Sequence, residues 1–379
     1  MRILFSSLGS HGHTYPLLPL AIAAREQGHD ITFVTGEAFA DALAALGIEH
    51  FPGGMDMRAA AAEAGADINR AQEVGPDLIS FVFGSVLPRR FVADVAPVIA
   101  DRKPDLVVHE FANPGAGLAA KIAGVPALCH SFGRMWQGNE LTDVVRGHLA
   151  AVAADLGVTL PDDDLMGLGN PYLDICPPSV QDPEFLATAT RRVPLRPVPF
   201  AEPGELPQWV LDHDQPLVYL TLGTAFGDAG VLRTAIEGLG AVDAKVLVAA
   251  GPTVDAGALG DLPDNVVVLG WVPQADLLPH VDLVVHHGGS GTTLGTFGAG
   301  VPQLVLPQGA DQFSNAEVVA EAGLGAQLLG ADVTAEAITA QARRLLTDEA
   351  VLGAARKMAE EVAAMPSPHD VARTLPDYA

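Results

Sequence analysis

Residues 1–35 read MRILFSSLGSHGHTYPLLPLAIAAREQGHDITFVT. Ile3 to Ser7 form a short apolar run that is typical of a buried strand, and Asp30 to Thr35 form another. Between them, apolar residues recur at helical spacing until Gly28, a residue type that commonly ends a helix. These residues are Leu17, Leu18, Leu20, Ala21 and Ala24. The segment therefore predicts a strand–helix–strand unit, whose right-handed crossover makes the two strands parallel.

The same alternation continues on both sides of a proline-rich stretch at residues 192–208. Further strands are predicted at residues 104–110, 126–130, 216–222, 245–249, 266–269, 282–286 and 302–306. Because proline lacks the backbone donor that helices and sheets use, we interpret residues 196–208 as a linker between domains. The predicted fold class is α/β, with two Rossmann-like parallel-sheet domains at residues 1–195 and 209–363. Such domains are expected to face an interdomain cleft that binds ligands.

Composition narrows the function classes. The 379 residues are 49% hydrophobic and 18% charged, which is typical of folded domains. With 21 basic and 46 acidic residues the net charge is −25, which repels phosphate backbones and anionic lipid surfaces. We therefore expect neither nucleic acid nor a membrane among the partners. Cys129 and Cys176 give no disulfide framework or zinc cluster, and an N-terminus that enters a strand directly predicts a cytoplasmic protein.

Two candidate catalytic residues follow predicted strands. His13 precedes Pro16, which suits the first turn of a helix, so His13 is predicted near a helix N-terminus. That position lowers the pKa of an imidazole and keeps it able to accept a proton. Glu110 ends the strand at 104–110 and could orient His13 from a neighbouring strand. The alternative is that both residues merely cap helices.

A glycine-rich turn is the strongest local signal. Residues 285–293, VHHGGSGTT, lie between a predicted strand and a helix, where backbone N–H groups and the helix dipole favour an anion such as phosphate. No Lys or Arg occurs between Lys245 and Arg343, so a diphosphate here must be held by the helix terminus, hydroxyls and histidine. The Walker lysine is absent from the sequence, which excludes ATP hydrolysis by a P-loop, and an aspartate-rich metal set is absent too, so we expect no metal. Trp271 follows a predicted strand and could stack on a nucleobase, the alternative being an ordinary core tryptophan.

These residues together resemble a known family. Trp271-x-Pro-Gln, His287-x-Gly-x-x-Thr, Gly300-Val-Pro and Asp311-Gln312 resemble the nucleotide-sugar signature of family 1 glycosyltransferases of GT-B fold. The Gly12-His13-x-x-Pro16 segment is similar to the catalytic-histidine loop of that family. The resemblance covers essentially the whole chain and is greatest to actinomycete enzymes that glycosylate antibiotics, in particular the enediynes calicheamicin and esperamicin.

The resemblance implies a role for each motif. His13 matches the general base that deprotonates the acceptor, and Glu110 stands where the family usually has an aspartate that supports this base. The residues implied to bind the donor are Thr224, Trp271, Val272, Gln274, His287, Gly289, Ser290, Gly291, Thr292, Asp311 and Gln312. The residues expected to line the acceptor pocket, or alternatively to belong in part to the core, are Phe81, Phe83, Phe132, Met135 and Trp136.

The implied reaction is inverting, metal-independent transfer of a deoxysugar from a thymidine diphosphate (dTDP) sugar to a hydroxyl of a hydrophobic aglycone. It implies no cofactor, because the dTDP-sugar is a co-substrate. The plant-type pattern has a glutamate on both ribose hydroxyls where this chain has Gly295, which favours the 2′-deoxyribose of dTDP over uridine diphosphate (UDP). The family also implies that residues 364–379 return to the N-terminal domain, and a homodimer is left open. Two other functions also remain open: a GT-B nucleotide-sugar epimerase, and a non-catalytic partner of another glycosyltransferase.

Overall fold

Alternating apolar strands and helices build two parallel sheets in a computed structural model of the chain, which describes residues 1–67, 75–135, 140–161, 167–223, 228–251 and 260–379. The strands of the first sheet are β1 Arg2–Ser6, β2 Asp30–Thr35, β3 Glu49–Pro52, β4 Leu106–Glu110, β5 Ala127–His130, β6 Tyr172–Asp174 and β7 Arg192–Pro194. Their spatial order is β3-β2-β1-β4-β5-β6-β7, and every neighbouring pair is parallel.

The second sheet repeats this design. Its strands are β8 Leu217–Thr221, β9 Lys245–Ala249, β10 Val266–Leu269, β11 Leu283–His286, β12 Gln303–Val305 and β13 Gly325–Gln327. Their order is β10-β9-β8-β11-β12-β13, again with parallel neighbours throughout. The predicted α/β class with two parallel-sheet Rossmann-like domains is confirmed.

Helices connect the strands. Their bounds are α1 His11–Thr14, α2 Leu18–Glu26, α3 Ala40–Ala45, α4 Met57–Glu63, α5 Pro76–Phe81, α6 Leu87–Arg102, α7 Pro114–Ala123, α8 Glu140–Asp155, α9 Pro183–Thr188, α10 Gln208–Leu211, α11 Ala229–Gly240, α12 Gln274–Leu277, α13 Ser290–Ala299, α14 Gln312–Glu321, α15 Ala335–Leu345, α16 Glu349–Ala364 and α17 Pro368–Thr374. A π-helical turn at Val82–Val86 joins α5 to α6, and a 3₁₀ turn at Tyr15–Leu17 joins α1 to α2. In the described part of the chain, no helix combines the length and apolar character that a bilayer crossing requires.

The chain divides into two units. One comprises Met1–Arg196 together with Pro366–Ala379, and the other comprises Pro197–Met365, so the proline-rich residues 197–208 group with the second unit. In the first unit, α17 packs on α2, and the His369 carbonyl accepts a hydrogen bond of 2.8 Å from the side chain of Gln27. The C-terminal residues therefore pack on α2, one of the helices that cover the first sheet.

Strand order brings the predicted site residues together within each unit. β1 and β4 are neighbours, with Ser6 in register with His109, so the loop after β1 lies beside the end of β4. β8 and β11 are also neighbours, with Thr221 in register with His286. The glycine-rich turn after β11 therefore lies beside the chain that leaves β8. Each predicted motif sits at the carboxyl edge of its sheet, where parallel α/β sheets bind ligands.

Candidate functional site

His13 and Glu110 form a pair in the first unit. His13 lies in α1, and Glu110 is the last residue of β4. The Nδ1 atom of His13 is 3.2 Å from Oε1 of Glu110; the carboxylate is fully buried, whereas the imidazole is 24% exposed. A carboxylate beside Nδ1 favours the tautomer that carries the proton there, which leaves the lone pair of Nε2 able to accept a proton. Glu110 also accepts the Ala112 N–H at 2.7 Å, so it caps the turn after β4 while its Oε1 lies beside the imidazole.

One of the predicted acceptor residues lies against this pair. The Phe132 ring, which follows β5, has its centroid 5.2 Å from that of His13 and 6.4 Å from that of Phe111. Met135 is further along the same loop; its N–H donates to Gln181 Oε1 at 2.8 Å, and its side chain packs against a cluster that contains Tyr172. The loop thus presents an aromatic surface beside the imidazole.

The other predicted acceptor residues lie elsewhere. Phe81 is exposed at the end of α5, with its ring 5.4 Å from that of His148. Phe83 is partly buried and packs against two core clusters, which makes it at least in part a core residue. Trp136 lies outside the described residues.

In the second unit, the turn from β11 to α13 leaves backbone donors unused. Helix α11 is capped by the Asp228 carboxylate, which accepts from the N–H groups of Gly230 and Val231. Helix α13 instead begins after Gly289, which has no side chain, and no side-chain hydrogen bond caps this end within the described residues. The first N–H groups of a helix have no partner inside the helix, so those of α13 can bind an anion.

His287 is held by two glycines. A Cβ atom on Gly223 would lie 2.6 Å from Cε1 of His287, and one on Gly289 would lie 2.5 Å from its Nε2, so larger residues would displace the ring. Burial lowers the pKa of His287 to about 4, partly offset by a hydrogen bond to the Thr221 backbone. The imidazole is therefore neutral at physiological pH and can donate a hydrogen bond. It adds no positive charge, so the helix terminus is the main source of positive potential at this turn.

Trp271 is half exposed, with 51% of its surface open to solvent, so the core interpretation of this residue is wrong. Its indole packs against Gly204, where a Cβ atom would lie 2.6 Å from Cζ3. The adjacent Val272 is buried. Gln274 Oε1 accepts hydrogen bonds from Tyr219 at 3.3 Å and from Thr292 Oγ1 at 3.2 Å.

The predicted sugar-binding pair is engaged in the loop that carries it. Asp311 Oδ2 accepts from Ser290 Oγ at 2.8 Å and from Asn315 Nδ2 at 3.2 Å, which links α14 to the start of α13. Gln312 is buried, and its Oε1 accepts the N–H groups of Gln308 and Gly309 at 2.8 and 3.1 Å. Both residues therefore shape the loop that a sugar would contact.

Gly295 lies on α13 in a closed environment. A Cβ atom there would lie 3.0 Å from Leu278 Cδ1 and 3.5 Å from Pro199 Cβ. The place of the plant-type glutamate is thus lined by apolar side chains. Thr224 lies outside the described residues, and the described residues contain no group of three or more potential metal ligands.

Sequence reasoning missed three polar residues that support the glycine-rich turn: His286, Gln303 and Asn315. Two signals were available. Gln303 is a polar residue within the apolar run predicted at residues 302–306, and it is the fully buried first residue of β12. Asn315 follows Asp311 by one helical turn, a spacing that places both side chains on one face.

The chain is similar to known proteins over its whole length. Residues 22–223 and 233–377 match the N-terminal and C-terminal domains of the family described as Erythromycin biosynthesis protein CIII-like. The elloramycin glycosyltransferase of Streptomyces olivaceus is 33% identical, over 99% of this chain and 97% of that protein.

Solved structures resemble the chain to a similar extent. The glycosyltransferase SsfS6 of Streptomyces sp. SF2575, complexed with thymidine diphosphate, has a TM-score of 0.81 and 27% identity, covering 100% of this chain and 99% of that one. The calicheamicin glycosyltransferase CalG4 has a TM-score of 0.82 and 25% identity, covering 100% and 98% of the two chains.

Proposed function

The chain belongs to the Erythromycin biosynthesis protein CIII-like family and is a glycosyltransferase, and from this premise we propose that it transfers a deoxysugar from a dTDP-sugar to a hydroxyl of a hydrophobic natural-product aglycone. The observation that carries the proposal is the pairing of a partly exposed imidazole with a fully buried carboxylate 3.2 Å away. A non-catalytic partner would have no need of such a pair.

His13 is the proposed general base. With the ring proton on Nδ1, the atom 3.2 Å from Glu110, Nε2 takes the proton of the acceptor hydroxyl as the hydroxyl oxygen attacks the anomeric carbon of the sugar. The bond between that carbon and the diphosphate oxygen breaks on the opposite face, so the configuration inverts. Such a base contributes roughly 10²–10⁴-fold to the rate, and the buried Glu110 stabilises the imidazolium that forms.

The departing diphosphate is the second place where the protein acts. Negative charge grows on the leaving oxygen, and the free N–H groups at the start of α13 are placed to stabilise it. The neutral His287 can add a hydrogen bond to the same group. We propose that these donors replace a metal ion, and that the enzyme needs no cofactor. Activity that persists in EDTA supports this, whereas loss that Mg²⁺ reverses contradicts it.

The donor is proposed to be a dTDP-sugar on two grounds. A similar glycosyltransferase was solved with thymidine diphosphate, and Leu278 and Pro199 enclose Gly295 with apolar groups that offer a ribose 2′-hydroxyl no partner. The exposed Trp271 is the proposed platform for the base. The remaining residues proposed to contact the donor are Thr224, Val272, Gln274, Gly289, Ser290, Gly291, Thr292, Asp311 and Gln312.

For the acceptor, we propose a flat apolar aglycone next to Phe132, the ring that lies beside His13. An enediyne aglycone is the first candidate, supported by the likeness to the calicheamicin glycosyltransferase. The elloramycin aglycone is the natural comparison, because the relative that glycosylates it is 33% identical.

The deciding experiment incubates the chain with dTDP-deoxysugars and a panel that contains both aglycones, followed by mass spectrometry. We expect a product heavier than the aglycone by one sugar residue, and NMR coupling at the anomeric carbon should report inversion. A donor incubated alone should stay unchanged. Isomerised donor sugar without any acceptor would instead identify an epimerase.

A further inference from the structure

The peptide groups on both sides of Gly288 are held by buried side chains. Gly288 has a φ of +92°, in the left-handed region, and a Cβ atom there would lie 2.8 Å from the Gln312 carbonyl oxygen. Its N–H donates to His286 Nδ1 at 3.1 Å, and its carbonyl accepts from Asn315 Nδ2 at 2.8 Å. The residue that turns the chain from β11 toward α13 is therefore fixed at its donor and at its acceptor.

The hydrogen bonds also fix the tautomer of His286. A backbone N–H can only donate, so Nδ1 of His286 must carry a lone pair, and the proton of the neutral ring sits on Nε2. Nε2 therefore donates a hydrogen bond of 2.8 Å to Gln303 Oε1. Gln303 in turn donates from Nε2 to the Thr293 carbonyl on α13 at 3.5 Å.

Burial keeps this arrangement in one protonation state. His286 and Gln303 are both fully buried, and burial lowers the pKa of His286 to about 3. A second ring proton would sit on Nδ1 and break the bond to Gly288. The network thus links β11, β12 and α13 around the turn through a ring that stays neutral.

We propose that His286 is a positioning residue for the donor diphosphate: its Nδ1 holds the Gly288 N–H and so sets the direction of the free N–H groups of Gly289, Ser290 and Gly291. This inference rests on the proposed function, because it requires a diphosphate at that turn. His286 does not touch the ligand in this proposal, and neither does Gln303, which acts by keeping the proton on Nε2.

Two substitutions of His286 test its Nδ1 acceptor and its Nε2 donor separately. In His286→Asn, Oδ1 occupies the place of Nδ1 and can still accept the Gly288 N–H. In His286→Gln, Nε2 occupies the place of the ring Nε2 and can donate to Gln303, but the acceptor for Gly288 is lost. His213→Asn is the matched control, since the ring nitrogens of this partly exposed histidine lie within hydrogen-bond distance of the Gln215 and His280 carbonyls and not of the glycine-rich turn.

The experiment measures thymidine diphosphate binding by calorimetry and thymidine binding by NMR titration for the wild type and the three variants. We expect His286→Gln to weaken the diphosphate about tenfold while thymidine affinity stays unchanged. His286→Asn and the control should stay within about threefold of the wild type. Wild-type affinity of His286→Gln for thymidine diphosphate would overturn this inference and leave the proposed function standing. An equal loss of affinity for thymidine and thymidine diphosphate, or an equal loss in His286→Gln and His286→Asn, would do the same.

Two further outcomes concern the wild type itself. A wild-type chain that binds neither thymidine diphosphate nor UDP would overturn the proposed function and this inference with it. If the variants fail to fold, long-range ¹H–¹⁵N spectra of the histidine-labelled wild type decide. They should show His286 with its proton on Nε2 at neutral pH, and a proton on Nδ1 would overturn the inference.

Discussion

The Oε1 atom of Glu110 lies 3.2 Å from Nδ1 of His13 and also accepts the Ala112 N–H at 2.7 Å. The backbone bond fixes the carboxylate oxygen that lies beside the imidazole. Orientation of the proposed base therefore depends on the turn after β4 as well as on the acid itself.

Replacing His13 with Ala should lower the turnover number by roughly 10²–10⁴-fold without changing dTDP affinity, because the base belongs to the first unit and the diphosphate turn to the second. Glu110→Gln should cost less, since an amide oxygen can still orient the ring but carries no charge. Steady-state kinetics and calorimetry measure both. His369→Ala is the matched control, as it removes an exposed His–Glu pair at 2.8 Å. A dTDP affinity that falls together with turnover in His13→Ala would rule out the assignment.

Trp271→Leu should weaken dTDP binding by about fivefold to 150-fold, because roughly 1–3 kcal/mol of base stacking is lost. The melting temperature should hardly change, because the indole is half exposed. Nucleotide should also quench the fluorescence of the wild type and not that of the variant. Trp209→Phe serves as the control for quenching, and unaltered dTDP affinity in Trp271→Leu would leave the base without its proposed platform.

Gly289→Ala should impair diphosphate binding, since the added Cβ atom would stand 2.5 Å from His287 Nε2. We expect at least a tenfold rise in the dissociation constant of dTDP, measured by calorimetry, with thymidine affinity unaffected. Gly298→Ala, on the helix that follows Gly289, is the control, because its Cβ atom would meet only Val362 at an ordinary 3.7 Å. If Gly289→Ala and Gly298→Ala bind dTDP with the same affinity, the position of the His287 ring does not matter for diphosphate binding.

The wild type should bind dTDP about tenfold or more tightly than UDP, because a desolvated hydroxyl without a partner costs about 1–3 kcal/mol. In Gly295→Glu the new Cβ atom would lie 3.0 Å from Leu278 Cδ1, so Leu278 must be shortened to make room for the glutamate side chain. The double variant Gly295→Glu with Leu278→Ala should narrow the preference, and Leu278→Ala alone is its control. Calorimetry gives the ratio for each protein; a wild type that binds both nucleotides equally would disprove this account of donor choice.

Stability should fall as the pH drops below about 6.5. Burial lowers the pKa of His109, His130 and His287 to about 4 and that of His286 to about 3. Between those values and the ordinary 6.5 the unfolded chain binds more protons, so each group removes about 1.4 kcal/mol per pH unit. Denaturant unfolding at pH 7.5, 6.0 and 5.0 measures the slope. A free energy of unfolding that is constant over this range would show that these rings are not buried and neutral.

Much of the fold could be predicted from short apolar runs, because strands buried on both faces carry a strong local signal. Strand β1 and the helical residues after it lie where Ile3 and Leu17 to Ala24 placed them. The family resemblance is confirmed by matches along the whole chain. The strands β3, β6, β7 and β13 were not predicted, because their three or four residues form no apolar run and only the sheet around them defines them.

The sequence pointed to residues whose own side chains carry chemistry, such as His13 and His287, and their roles stay predictions. The buried polar residues that hydrogen-bond around the glycine-rich turn were missed. His286 looks in sequence like a repeat of His287, yet it points to Gln303 in the core while its neighbour packs against two glycines. Gly295 indicated the missing glutamate, but only the structure shows that Leu278 and Pro199 close the space.

The uncapped start of α13 and the neutral His287 offer a dianion dipoles and no full positive charge among the described residues of this turn, in a chain whose net charge is −25. Long-range forces then oppose the approach of the nucleotide, and short-range hydrogen bonds hold it after arrival. Added salt screens the repulsion and leaves the contact bonds nearly intact. The association rate should therefore rise with ionic strength, the reverse of the behaviour of anion sites built from lysine and arginine.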